Sequence, residues 1–149
     1  MQITSGQLPL ALHENRSAFK IYMADTGLLG AMSELPVETL LNPQLRGSLD
    51  LGAFTENYVA QTLTASDHTL RYWTSNSDAE VDFIAALGDP TTLRTATPIE
   101  VKSSDNVRSR SLNVYKSKYQ PQRSIRLSTK NFGQENGIES VPLYAAFCL

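Results

Sequence analysis

Glu80-Val81-Asp82-Phe83-Ile84 and Pro98-Ile99-Glu100-Val101-Lys102 are the two runs whose reading decides the fold. Each alternates polar with apolar residues, as a half-buried strand does. A period of two sets Glu80 and Asp82 on one face and Val81 and Phe83 on the other. In the second run Glu100 and Lys102 share a face opposite Ile99 and Val101. Gly88-Asp89-Pro90, between the runs, is a turn signal. Paired as a hairpin, the runs gather three carboxylates and one ammonium on one side of a sheet. Acids this close repel unless a cation or a chemical use compensates. The plainer account is a charged surface hairpin in which Lys102 neutralises Glu100 and Glu80. Exposed pairs contribute only about 0–1 kcal/mol, so that account does not explain why the acids cluster.

Around this stretch, 149 residues suffice for one domain with a real core. A hydrophobic content of 41% with 19% charged residues argues against a disordered chain. Cys148 is the sole cysteine, which excludes an intramolecular disulfide and a cysteine-rich zinc site. His13 and His68 stand in no metal spacing. No apolar run approaches a membrane span and the start is not a signal peptide, so the expected location is cytoplasmic and no membrane contact is expected. The formal net charge is −2, but the charge is unevenly spread. Residues 102–130 hold eight basic side chains against one acid, a net of +7, while the rest holds five against fourteen, a net of −9. A basic segment directly after the carboxylates suits a surface that tracks phosphates, with Arg108, Arg110, Lys116 and Lys118 as candidate nucleic-acid contacts. The alternative is a solvated helix face.

In chain order, residues 1–16 read as a linker remnant with an edge strand at most. Residues 18–23 read as a strand. Asp25 reads as a helix cap, with a ligand role as the lesser alternative. Pro36 and Pro43 punctuate a loop with one helical turn. Residues 47–64 read as the main helix, with Leu51, Phe54, Tyr58, Val59 and Leu63 in one apolar arc and Glu56 at its edge. A carboxylate there reaches toward the sheet, or is an ordinary boundary residue whose head reaches water. Residues 68–74 read as a strand with Trp73 in the core, and Asn76-Ser77-Asp78 as a turn. Ser103 to Asn106 supply helix caps. A helix over 107–119, facing inward with Leu112, Tyr115 and Tyr119, ends at Pro121. A strand over 123–128 follows, burying Ile125 and Leu127. Gly133 and Gly137 mark a loop, residues 138–142 a last strand, and the apolar end from Leu143 a short helix.

The central stretch suits phosphodiester chemistry. Carboxylates hold a divalent cation through hard oxygen ligands, and the cation activates a water and neutralises charge on the phosphate. Asp82 and Glu100 on neighbouring strands suit the metal, with a backbone carbonyl of Ile99 or Val101. Lys102 lands beside them to orient water or stabilise the transition state. Glu56 completes the set through a water.

The order of these motifs resembles the PD-(D/E)XK nuclease superfamily, with its restriction-endonuclease-like fold. More narrowly, the chain looks like domain of unknown function 4143. The resemblance is carried by Phe19 to Leu29, by Gly52-Ala53-Phe54-Thr55-Glu56-Asn57-Tyr58-Val59-Ala60, and by Tyr72-Trp73. Ala79-Glu80-Val81-Asp82-Phe83, Pro98-Ile99-Glu100-Val101-Lys102-Ser103 and the tail from Ser109 to Lys130 extend it. The resemblance implies an α/β fold, a mixed central sheet flanked by helices, over residues 17–149. It places Glu56, Asp82, Glu100 and Lys102 in an active site with Mg²⁺ or Mn²⁺ at Asp82 and Glu100, and leaves Glu80 without a role. It further implies DNA as a partner and attachment to an N-terminal AAA+ ATPase domain. No Gly-x-x-x-x-Gly-Lys-Ser/Thr phosphate loop occurs in these residues. The competing expectation is a non-catalytic DNA- or protein-binding module coupled to that ATPase, and an oligomer stays open.

Overall fold

The computed structural model describes residues 1–42, 51–75, 79–103 and 109–149. The expected helix start at Gly47, the turn Asn76-Ser77-Asp78, and Asp105 with Arg108 lie outside the described residues. The architecture is α/β, with two mixed sheets and a few helices. One sheet joins β1 (Gln2–Ile3), β2 (Glu14–Asn15), β3 (Tyr72–Thr74) and β4 (Glu80–Val81) in the order β2-β1-β3-β4. The other joins β5 (Phe83–Ala85), β6 (Thr97–Val101), β7 (Ile125–Ser128), β8 (Gly133–Glu135) and β9 (Ile138–Pro142) in the order β5-β6-β7-β9-β8. Strand β5 runs antiparallel to β6, and β6, β7 and β9 are mutually parallel.

The first sheet passes into the second at Asp82, and the register shows how. Trp73 pairs with Val81 and Thr74 with Glu80, yet the Ile84 amide bonds the Arg71 carbonyl. One extra residue therefore sits on the 80–85 side, which is a β-bulge at Asp82. The bulge inverts the alternation expected from sequence. Val81 and Phe83 do not share a face: Val81 joins Ile84 in one core and Phe83 joins Ile99 in the other.

Each core lies under a helix. Helix α3 (Gly52–Ala65), which follows α1 (Thr26–Met32) and α2 (Val37–Leu41), lays Val59, Ala60 and Leu63 on Phe83, Ile99, Ile125 and Leu127. On the opposite side α4 (Arg110–Tyr119) lays Leu112 and Tyr115 against Ile3, Trp73, Val81 and Ile84. Trp73 meets Tyr115 edge-on at 5.2 Å between ring centres. The inward face expected of α4 is present, and Asp25 caps α1 by accepting from the Leu28 amide at 2.8 Å. In α3, Tyr58 is exposed and Asn57 is buried in its place.

Four expectations need correction. Residues 1–16 are not a linker remnant in packing: Ile3 is fully buried and β1 lies inside its sheet, parallel to β3. Residues 18–23 form no strand, because the Met23 amide and carbonyl are satisfied by the Asn57 side-chain amide on α3 rather than by a neighbouring strand. The 133–137 loop is instead the β8–β9 hairpin, turning on Asn136-Gly137 with both residues at positive φ. Strand β7 is buried on both faces, so Arg126 is as enclosed as Ile125 and Leu127. The C-terminal end does form a short helix, a 3-10 turn over Leu143–Cys148 that buries Ala145 and Ala146.

Gly6 shows how tightly the N-terminal segment is bound in. A Cβ there would stand 2.1 Å from the Tyr115 hydroxyl oxygen. Gly6→Ala is expected to cost about 1–3 kcal/mol by overpacking. Gly133→Ala, with nothing within 4 Å of its Cβ, should be neutral or slightly stabilising, within about 1 kcal/mol. Denaturant unfolding of both variants checks this pair.

Candidate metal and phosphate site

Asp82 stands where the bulge turns the strand. Its Oδ2 accepts from the Val101 amide at 2.7 Å, which pins β6 beside the bulge. Phe83 pairs with Ile99, so Asp82 and Glu100 are next neighbours across the two strands. Burial pushes the Asp82 carboxyl up to about 6, against the opposing pull of the Val101 amide. Glu56 pushes the same way, and Lys20 and Lys102 oppose it.

Glu100 leaves β6 on the face opposite Ile99, enclosed to 3% exposure of its side chain. Its Oε1 meets the Lys102 ammonium at 3.0 Å. Its Oε2 has no hydrogen-bond partner among the described residues. A buried carboxylate oxygen left open is costly, on the order of 1–3 kcal/mol or more for a charged group. The register continues Glu100 into a row across the sheet, Glu100 beside Arg126 and Arg126 beside Ser140. Arg126 donates to Ser140 Oγ at 2.7 Å.

Glu56 projects from α3 on the other side of Asp82. Its Oε1 accepts from the Tyr22 hydroxyl at 2.6 Å and from the Lys20 ammonium at 2.9 Å. Lys20 also pairs with Glu80 and lies 5.2 Å from the centre of the Tyr72 ring. Burial and the hydrogen bond to Glu56 hold the Tyr22 hydroxyl well above its ordinary range, so it stays a donor. Residues 20–23, Leu29 and the Ala53, Glu56 and Asn57 face of α3 line a cleft of about 500 Å³.

The four expected site residues thus fall into two groups that meet at Asp82. Glu100 with Lys102 forms one; Glu56 with Lys20, Tyr22 and Glu80 forms the other. No three His, Cys, Asp or Glu side chains among the described residues converge on one point. A magnesium ion nevertheless asks for only one or two carboxylates and keeps several waters. Asp82 and the open Oε2 of Glu100 fit that demand.

The basic helix is less free than its charge suggests. Lys116 donates to the Asn136 and Gly137 carbonyls at 2.6 and 3.2 Å, tying α4 to the β8–β9 turn. Lys118 lies over the Trp73 and Tyr119 rings at 5.7 and 5.1 Å. Arg110 is exposed at the start of α4.

Sequence reasoning missed Lys20, Tyr22 and the burial of Arg126. For the first two the signal was present: Lys20-Ile21-Tyr22 alternates, which puts both polar ends on one side. For Arg126 there was none, since a strand buried on both faces breaks the rule that alternation follows exposure.

A family model described as Domain of unknown function (DUF4143) matches residues 51–146, a span that holds Glu56, Asp82, Glu100 and Lys102. No curated protein and no solved structure matches the chain. No helix among the described residues is long and apolar enough to cross a membrane.

The raised Asp82 carboxyl has a signed consequence. Its folded value lies above its unfolded one, so the folded state binds the extra proton between about pH 4 and 6. Ionised Asp82 therefore costs stability at high pH, and that cost fades as pH falls through about 6. Asp82→Asn keeps an acceptor for the Val101 amide and should stabilise the chain at pH 8 by roughly 1–3 kcal/mol. The gain should vanish near pH 4. Denaturant unfolding at the two pH values measures it, and a destabilised Asn variant at pH 8 contradicts it.

Proposed function

The chain belongs to the DUF4143 family, and from that premise and the geometry around Asp82 we propose a metal-dependent nuclease-like domain of restriction-endonuclease-like fold that acts on phosphodiesters. The observation that carries this reading is the pair formed by half-buried Asp82 and the unpartnered Oε2 of Glu100 on adjacent strands. Asp82 and Glu100 would hold Mg²⁺ or Mn²⁺. Bound there, the cation would lower the pKa of a water and neutralise charge on the phosphate. The chain's own residues supply the rest. The Val101 amide fixes Asp82 in place. Lys102 holds one oxygen of Glu100, and the other is buried with no hydrogen-bond partner among the described residues. The Lys102 side chain is 31% exposed, and its ammonium would face an incoming phosphate oxygen or the attacking water. Glu56 contributes from α3. Exposed Arg110 at the start of α4 is the contact for the DNA backbone that this reading best supports. Attachment to an AAA+ ATPase domain belongs to the same proposal and rests on the resemblance of the motifs.

One observation favours a second reading, a non-catalytic DNA- or protein-binding module. Lys20 already neutralises Glu56 and Glu80, and no third acid joins Asp82 and Glu100 among the described residues.

Mn²⁺ titration followed by a cleavage assay separates the two. The nuclease reading expects wild type to bind Mn²⁺, and Asp82→Ala and Glu100→Ala to bind it at least about tenfold more weakly. Mg²⁺-dependent cutting of DNA should drop about 10²-fold in Lys102→Ala and stop with chelator. Equal cutting by wild type and Lys102→Ala marks contamination. DNA binding without metal uptake selects the binding module.

The basic helix gives its own expectation. Arg110→Ala should lower the slope of log K against log salt by about 1. Lys116→Ala should act mainly on stability, by loosening the β8–β9 turn. A filter-binding salt series with parallel melts reads both.

A further inference from the structure

Four carboxylates surround the bulge: Glu56, Glu80, Asp82 and Glu100. Two ammoniums answer them, Lys20 at Glu56 and Glu80 and Lys102 at Glu100. Both ammoniums are bonded to glutamates, and neither is bonded to Asp82. Lys20 is not a surface lysine that happens to touch an acid. Its side chain is 24% exposed. It bridges two carboxylates and lies against the Tyr72 ring. Hydrogen bonding to Glu80 and Glu56 outweighs its burial and holds it above the ordinary lysine range, so it is charged at every physiological pH. The Glu56 oxygen it bonds is the one Tyr22 also bonds. That oxygen is committed, and Glu56 is unavailable to any other cation while Lys20 stays. Lys20 and Tyr22 both precede the family-matched span of 51–146.

We propose that Lys20 is the resident counter-ion of this site, and that its ammonium competes with a divalent cation for Glu56. The proposal rests on the metal reading of Asp82 and Glu100 and adds a positioning residue to it. With Lys20 in place Glu56 is held toward residues 20–22, and the absence of a three-acid group among the described residues follows directly. With Lys20 withdrawn, Glu56 becomes a third acid for a cation at Asp82. The second observation that points to a cation rather than to a self-contained ion-pair network is the buried, open Oε2 of Glu100. Lys20 does not satisfy that atom, and Lys102 bonds only its neighbour.

Mn²⁺ titration by calorimetry on the full 149-residue chain tests this, with melts to establish folding. Lys20→Met keeps most of the stem and removes the charge. It is expected to bind Mn²⁺ about tenfold more tightly than wild type, as removal of one charge a few ångströms away requires. Lys20→Arg keeps the charge and should stay near wild type. Tyr22→Phe frees the same oxygen without changing charge and should shift affinity less than Lys20→Met. Unchanged or weaker binding by Lys20→Met overturns the proposal, and so does a tenfold gain in Lys20→Arg. In either case, metal uptake that is lost in Asp82→Ala leaves the metal reading standing. No uptake by any variant overturns both. Should Lys20→Met fail to fold, wild type still answers. Mn²⁺ is expected to raise the rate at which an amine reagent modifies Lys20, and an unchanged or lowered rate overturns the proposal.

Discussion

The structure depends on one hydrogen bond, from the Val101 amide to the Asp82 carboxylate. It ties the bulged strand to β6 just beyond the Phe83–Ile99 pair. An extra residue in a strand leaves backbone groups without their ladder partners and bends the chain. Here the side chain of the extra residue takes over, and the bend carries the chain from one sheet into the other. Val81 is thereby sent to the core under α4 and Phe83 to the core under α3. Without that inversion, both apolar residues would crowd one side and one helix would lose its floor.

The same bond places a carboxylate where carboxylates are least stable. Burial raises Asp82 to about 6, so near neutral pH most of it is ionised at a cost. Folds keep such groups chiefly where something uses them. The surrounding charges show a consistent arrangement. Lys102 approaches from β6 and Lys20 from the segment before α1, and each is bonded to a glutamate rather than to Asp82. Both lower the Asp82 carboxyl through space alone. Asp82 is thus eased by two cations through space and bonded to neither.

Much of this was legible in the sequence. The two alternating runs gave the hairpin, and β5 pairs with β6 as they predict. The period of Leu112 and Tyr115 gave the buried face of α4. Asp25 announced its cap. What escaped did so for identifiable reasons. A bulge leaves no mark in a run of five residues, because alternation reads the same with or without an extra residue. The N-terminal strands are two residues long, too short for a period to register, although Ile3 is among the most buried side chains. Residues 18–23 have the composition of a strand, but a strand is defined by its partner, and here Met23 is partnered by the side chain of Asn57. Asn136-Gly137 is itself a hairpin-turn signal, but the polar residues from Gly133 to Glu135 carry no apolar alternation to mark the strand before it.

The charge asymmetry of the sequence, +7 over residues 102–130 against −9 elsewhere, also takes on a different meaning. Taken as a surface property it pointed outward, to phosphates. In the fold several of those cations are engaged by the protein itself. Arg126 is enclosed beside Glu100, Lys116 holds a hairpin turn, and Lys118 lies over aromatic rings. Lys102 pairs with Glu100. The segment's excess of positive charge therefore serves first to balance acids and carbonyls that the sheet brings to it. A long charged side chain is the cheapest way to satisfy such groups while its stem covers apolar surface.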